Sequence, residues 1–186
     1  MPSNNYKRLY VTNCVIILID YQKAFERKVF QYEETLENVK KLLKAARILK
    51  LPVVATEQNP KGLGQIVESL APYLDSSPIP KTTFSVFGCK EFIDEVEKIG
   101  RSDLIFAGIE SHICVSQSAL DALNFGYRSV VLADCVTSRN LDHKTLALER
   151  LRHHHVEISF FEAFIYEILE EAPTPQFKAL FPILKW

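Results

Sequence analysis

Short, nearly all-apolar runs punctuate the chain: Cys14-Val-Ile-Ile-Leu-Ile19, Val53-Val-Ala55, Leu104-Ile-Phe-Ala107, Ser129-Val-Val-Leu-Ala133 and Val156-Glu-Ile-Ser159. Such short β-branched runs, with little polar alternation, predict parallel strands covered on both faces. Between them, helical patterns fall over 35–50, 64–70, 89–98, 113–125, 142–154 and 162–170. In the first, Leu36, Val39, Leu42, Leu43 and Ala46 recur at helical spacing. Pro52, Gly100 and Gly126 follow the first, third and fourth helical stretches as stop signals. Strand–helix alternation means βαβ units, and each right-handed crossover needs a helix between strands. The expectation is a single-domain α/β fold: a doubly wound, Rossmann-like, six-stranded mostly parallel sheet with helices on both faces. The looser segment 56–88, with Pro60, Gly62, Gly64, Pro72, Pro78, Pro80 and Gly88, predicts an active-site flap and a short edge strand near Ile79. The tail with Pro173, Pro175, Pro182 and Trp186 predicts an arm packed on this domain or on a neighbouring subunit.

Composition narrows the partners. At 186 residues and 47% hydrophobic, one domain over 1–186 has ample core. Lys plus Arg at 22 nearly cancels Asp plus Glu at 23, so no global field draws the chain to nucleic acid or an anionic membrane. No basic stretch with interleaved aromatics appears either. Val15 to Ile19 is far too short to cross a bilayer, and no signal-peptide pattern precedes it. The expected partner is a small-molecule substrate, without nucleic acid or membrane, in the cytoplasm; mitochondrial import is the alternative. Cys14, Cys89, Cys114 and Cys135 are widely spaced, without a CxxC pair, which argues against disulfides and a zinc site. His153, His154 and His155 read as a polar helix end rather than a metal site.

In an open parallel sheet, reactive groups cluster beyond the carboxyl ends of the strands. Those positions are Asp20, Thr56-Glu57, Gly108 to Cys114, and Asp134-Cys135. Asp20 ends an aliphatic run, where an unpaired carboxylate is costly to desolvate. It is a proton carrier, an ion-pair partner or an N-cap for a helix from Gln22. Cys114 opens a helical segment, where the helix dipole lowers a thiol's pKa; the competing reading is a buried structural cysteine. Cys135 is the rival nucleophile, although Asp134 beside it raises its pKa. Lys81 is either a solvated loop lysine or, placed after the edge strand, a site residue.

Taken together, Ile19-Asp-Tyr-Gln22 with Phe25, Thr56-Glu-Gln-Asn-Pro60, Pro80-Lys-Thr-Thr-Phe-Ser85 and Gly108-Ile-Glu-Ser-His-Ile-Cys-Val115 resemble the isochorismatase-like cysteine hydrolase superfamily. The wording around Glu57 to Gly64 is most similar to its isochorismatase-domain-containing group. The resemblance implies Cys114 as nucleophile, Asp20 as proton shuttle and Lys81 as the cation holding both in their active charge states. It also implies a cis peptide at Ile109–Glu110 and an oxyanion hole of backbone N–H groups before and at Cys114. Gln22, Phe25, Glu57, Phe84, Ile109 and His112 are the pocket candidates, with core packing or loop bonding as their plainer roles. The resembling nicotinamidases hold a metal through an Asp-x-His pair and a later histidine, whereas this chain reads Glu57-Gln58-Asn59. No metal and no cofactor are therefore expected. The resemblance implies hydrolysis of a small amide or ester through a thioester, by a homo-oligomer of two or more subunits. The apolar tail ending Phe181 to Trp186 adds to the oligomer expectation. The competing reading is a catalytically silent scaffold or protein-binding module.

Overall fold

The computed structural model describes residues 7–184. Lys185 and Trp186, the end of the apolar tail, lie outside the described residues. Six strands form one all-parallel sheet: β1 (Cys14–Ile19), β2 (Val53–Gln58), β3 (Ile79–Lys81), β4 (Asp103–Ile109), β5 (Arg128–Thr137) and β6 (Glu157–Ser159), in the order 3-2-1-4-5-6. The helices are α1 (Tyr32–Leu49), α2 (Pro60–Leu63), α3 (Lys90–Ile99), α4 (Ser116–Asn124), α5 (Leu141–His153), α6 (Phe161–Leu169) and α7 (Pro175–Leu184). The single α/β domain read from the sequence is therefore present, and its sheet is parallel throughout.

Strand side chains alternate between two cores, which is why the strands are apolar at nearly every position. Cys14, Ile16 and Leu18 face α1, α6 and α7, whereas Val15, Ile17 and Ile19 face α3, α4 and α5. Each such side chain, fully buried, contributes about 1.5–3 kcal/mol. After β3 the chain crosses back over β1 to begin β4, so β1 and β4 flank the point where the strand order reverses. Loops leaving two such strands diverge and open a crevice at their carboxyl ends. Asp20 and Cys114 follow those two strands.

One sequence expectation needs correction and another gains a form. The stretch 64–70 is not helical: the short α2 begins with Pro60 in its first turn and ends at Gly64. Beyond it, the N–H of Ile66 bonds to the Glu57 carboxylate and that of Val67 to the Tyr21 carbonyl. Distant acceptors thus take the donors a helix would use, and buried Ile66, Val67 and Leu70 pack in the α1 core from an irregular path. The tail, in turn, is a helix. α7 packs on α1 and α6, burying Leu180 and Leu184 in its own domain, as one of the two expectations had it, while Phe181 stays half exposed.

Candidate active site

At the carboxyl edge, the backbone turns sharply after β1. Asp20 takes a left-handed conformation (φ 50°), which Asp tolerates better than most side chains, and is fully buried. It is not an N-cap. The Thr56 hydroxyl donates to its Oδ1 at 2.8 Å and Lys81 Nζ to its Oδ2 at 2.7 Å. Thr56 pairs in register with Ile19 on β1, so the sheet itself delivers this hydroxyl to the residue after Ile19.

Lys81 is the last residue of β3, buried rather than solvated. Its ammonium also donates to Gln58 Oε1 (2.7 Å) and to the carbonyls of Thr83 (3.2 Å) and Phe84 (3.3 Å). Three N–H donors facing four acceptors leave it satisfied without water. Gln58 is its register partner on β2 and donates from Nε2 to the Thr82 carbonyl at 2.8 Å, closing the loop around the ammonium.

Cys114 lies in a π-helical turn, Ser111–Val115, that leads into α4. Such wide turns recur at functional sites because they rotate one side chain out of the regular helical succession. The thiol is 7% exposed and close enough to Asp20 and Lys81 that both charges act on its acidity. Ser118 Oγ donates to the Cys114 carbonyl at 2.6 Å and accepts the Val86 N–H at 3.0 Å, tying the flap after β3 to α4. The peptide bond Ile109–Glu110 is cis.

The thiol's acidity runs opposite to the sequence expectation. Burial first, and then the Asp20 carboxylate, push Cys114 up to about 12 against the opposing pull of Lys81. Burial deprives a thiolate of solvation, and charge balance adds to that. With Asp20 and Lys81 ionised, the buried site is neutral, and a thiolate would leave it with an unbalanced negative charge. Cys135 is fully buried and pushed well above its ordinary value by burial and then by Asp134.

Of the pocket candidates, Gln22 is a brace. Its amide donates to the carbonyls of Gln58 (3.0 Å) and Gly64 (2.6 Å) and accepts the Gln58 N–H (2.8 Å). Glu57 holds the Ile66 N–H at 2.6 Å, and Ile109 is buried in the α1 core. Phe25 lines a cavity of about 280 Å³ with Glu110 and Arg139. Phe84 is 55% exposed beside the carbonyl that binds Lys81. His112 Nδ1 lies 3.0 Å from Ser138 Oγ and its ring packs on His143. Glu110 is buried and held by Arg139 through bonds of 2.7, 2.9 and 3.0 Å, an anchor for the turn before Cys114.

A family model described as the isochorismatase domain matches residues 14–160, most of the chain. The chain belongs to the isochorismatase family. It is 33% identical over 178 residues to isochorismatase domain-containing protein 2 of Danio rerio, covering 95% of this chain and 89% of that protein. Among solved structures it is similar to the MAR1 ribonuclease of Caenorhabditis elegans (31% identity, TM-score 0.89, covering 96% and 92% of the two chains). The fold also matches YcaC of Escherichia coli, described as an octameric hydrolase of unknown specificity (22% identity, TM-score 0.90, covering 97% and 92%). In this isochorismatase-family chain, sequence reasoning passed over Thr56 and Gln58 as partners of the buried pair. Their position at the end of β2, beside the residue following β1, was the available signal.

Proposed function

We propose that this isochorismatase-family chain is a metal-independent cysteine hydrolase of small amides or esters, acting through a thioester on Cys114. The observation that carries the reading is a buried Asp20–Lys81 ion pair beside a buried thiol on whose acidity both charges act. Cys114 Sγ attacks the carbonyl carbon while its proton passes to Asp20, which then gives that proton to the leaving amine or alkoxide. Water, deprotonated by Asp20, releases the acid and restores the thiol. The Lys81 ammonium, 2.7 Å from Asp20, offsets the negative charge at each stage. Backbone N–H groups of the turn at 109–114 face the developing oxyanion in this scheme. Phe25, Phe84 and His112 form the substrate walls, whereas Gln22 and Glu57 support the frame. Gln58 bonds to Lys81 where a metal ligand would otherwise stand, which supports chemistry without a metal.

A screen of small amides and esters, read by intact mass, tests this. We expect an acyl adduct on Cys114 and no turnover by Cys114→Ala; wild-type turnover by that variant overturns the reading, as does loss of activity on chelation. Absence of any adduct across the screen favours the silent scaffold. The MAR1 relative makes RNA cleavage the second reading. The near-zero net charge speaks against it, because RNA binding draws on released counterions. RNA cut by wild type but not by Cys114→Ala would establish it. We further propose a homo-oligomer of two or more subunits, as described for YcaC; a monomeric mass by light scattering excludes it.

A further inference from the structure

Away from Cys114, a cavity of about 430 Å³ opens between α1 and α5 beside the end of β6. It follows from an irregularity in β5. That strand pairs with β6 only as far as Leu132, and its register to β4 shifts between Val131 and Val136. A bulge of this kind re-aims side chains, here turning Asp134 into the cavity wall and Cys135 into the core. Opposite Asp134, α5 presents Lys144, Leu148 and Arg152, which its four-residue spacing places on one face.

Lys144 is half-buried, yet its ammonium has no hydrogen bond or ion pair with any described residue. It senses Asp134 and Glu34 across the cavity without touching either. Asp134 Oδ1 accepts the Phe161 N–H at 2.9 Å. A carboxylate offers about four lone-pair sites, so capacity toward the cavity remains. Burial raises the Asp134 pKa and lowers that of Lys144, as expected for opposite charges held apart with too little water. Glu34, Glu149 and Arg152 stand at the exposed rim, where solvent screens them.

We propose that this cavity binds a small zwitterion with an apolar body, in class an apolar α-amino acid, its carboxylate on Lys144 and its ammonium near Asp134. A zwitterion satisfies both separated charges and adds no net charge to the cavity; a ligand with one charge satisfies one and leaves the other exposed to poor solvation. Leu148, Ile158 and Phe160 supply an apolar wall for the side chain, and the volume suits a molecule of this size. The site is independent of the hydrolase reading and uses none of its residues.

Titration calorimetry of the full chain with L-leucine and L-phenylalanine tests it, alongside N-acetyl-L-leucine and L-leucinamide, which each lack one charge. We expect both free amino acids to bind and both derivatives to bind at least about tenfold more weakly, a difference of ~1.4 kcal/mol. Lys144→Met should abolish binding. Asp134→Asn keeps an acceptor for Phe161 and should weaken binding in a protein whose melting curve shows it folded. The proposal fails if neither free amino acid binds in the millimolar range, if a derivative binds as well as its parent, or if folded Lys144→Met or Asp134→Asn binds like wild type.

Discussion

At the scale of single residues, the buried site is governed by charge balance rather than by any one group's intrinsic acidity. Asp20 is the anion that most opposes ionisation of Cys114 after burial itself. Asp20→Asn should therefore speed alkylation of Cys114 at pH 8, by roughly tenfold for each unit its pKa falls. The same change should lower turnover by ~10²–10⁴-fold, because the proton acceptor is gone. Labelling kinetics by mass spectrometry check this, and slower labelling in the variant would remove Asp20 from the role of opposing anion. Lys81→Met alone should destabilise the fold by ~3–5 kcal/mol by stranding a buried carboxylate, while Asp20→Leu in the same chain should recover much of the loss. Urea unfolding of the single and double variants measures it. His112 is held below its ordinary value by burial and by His143 and Arg139, despite Glu110. The folded state thus binds that proton less readily than the unfolded state, so this contribution is full above pH 6.5 and is lost as pH falls through the depressed folded value. An NMR titration of the His112 ring should place its midpoint below 6.5. Asp20, Lys81 and Cys114 were legible as strand-end residues, but the sign of the thiol's shift was not. Helix dipole and lysine could be read from the sequence, whereas the depth of burial, which outweighs them, exists only in the fold.

Among elements, the short apolar runs were readable because covered parallel strands tolerate almost nothing else. The 64–70 stretch misled because Ile66, Val67 and Leu70 have the spacing of a helix, while their backbone donors answer to Glu57 and Tyr21 from other parts of the chain. Gln58 was likewise visible only as the place a metal ligand could occupy; the β2–β3 register makes it a partner of Lys81. α7 was read as an arm packed on this domain or on a neighbouring subunit, and it is a helix packed on this domain. Leu180, fully buried against α1, should cost ~2–5 kcal/mol when changed to Ala, measured by denaturant unfolding. A loss within a few tenths of a kcal/mol would mean that α7 docks only weakly.

Across the whole molecule, the approach of β1 to β4 brings the catalytic candidates together, and one residue permits it. Gly108 has φ +129°, and a Cβ there would fall 2.0 Å from the Ile19 carbonyl oxygen. No flexible side chain can yield, because the obstacle is backbone. Gly108→Ala should prise these strands apart beside Asp20, with loss of Cys114 reactivity and a lower Tm in the same sample. Normal values of both would show that the strands can separate without harm.

The two outermost strands of the sheet, β3 and β6, are only three residues each, and the middle residue of β3 is Pro80, which has no N–H to offer. Neither border presents the long row of free amides and carbonyls on which another chain could add a strand. The borders thus disfavour a second copy joining by lengthening the sheet. Contact through exposed apolar residues on helices and turns, among them Leu146, Tyr166 and Phe181 on α5, α6 and α7 and Phe125 in the turn after α4, would leave each subunit's sheet a unit of six.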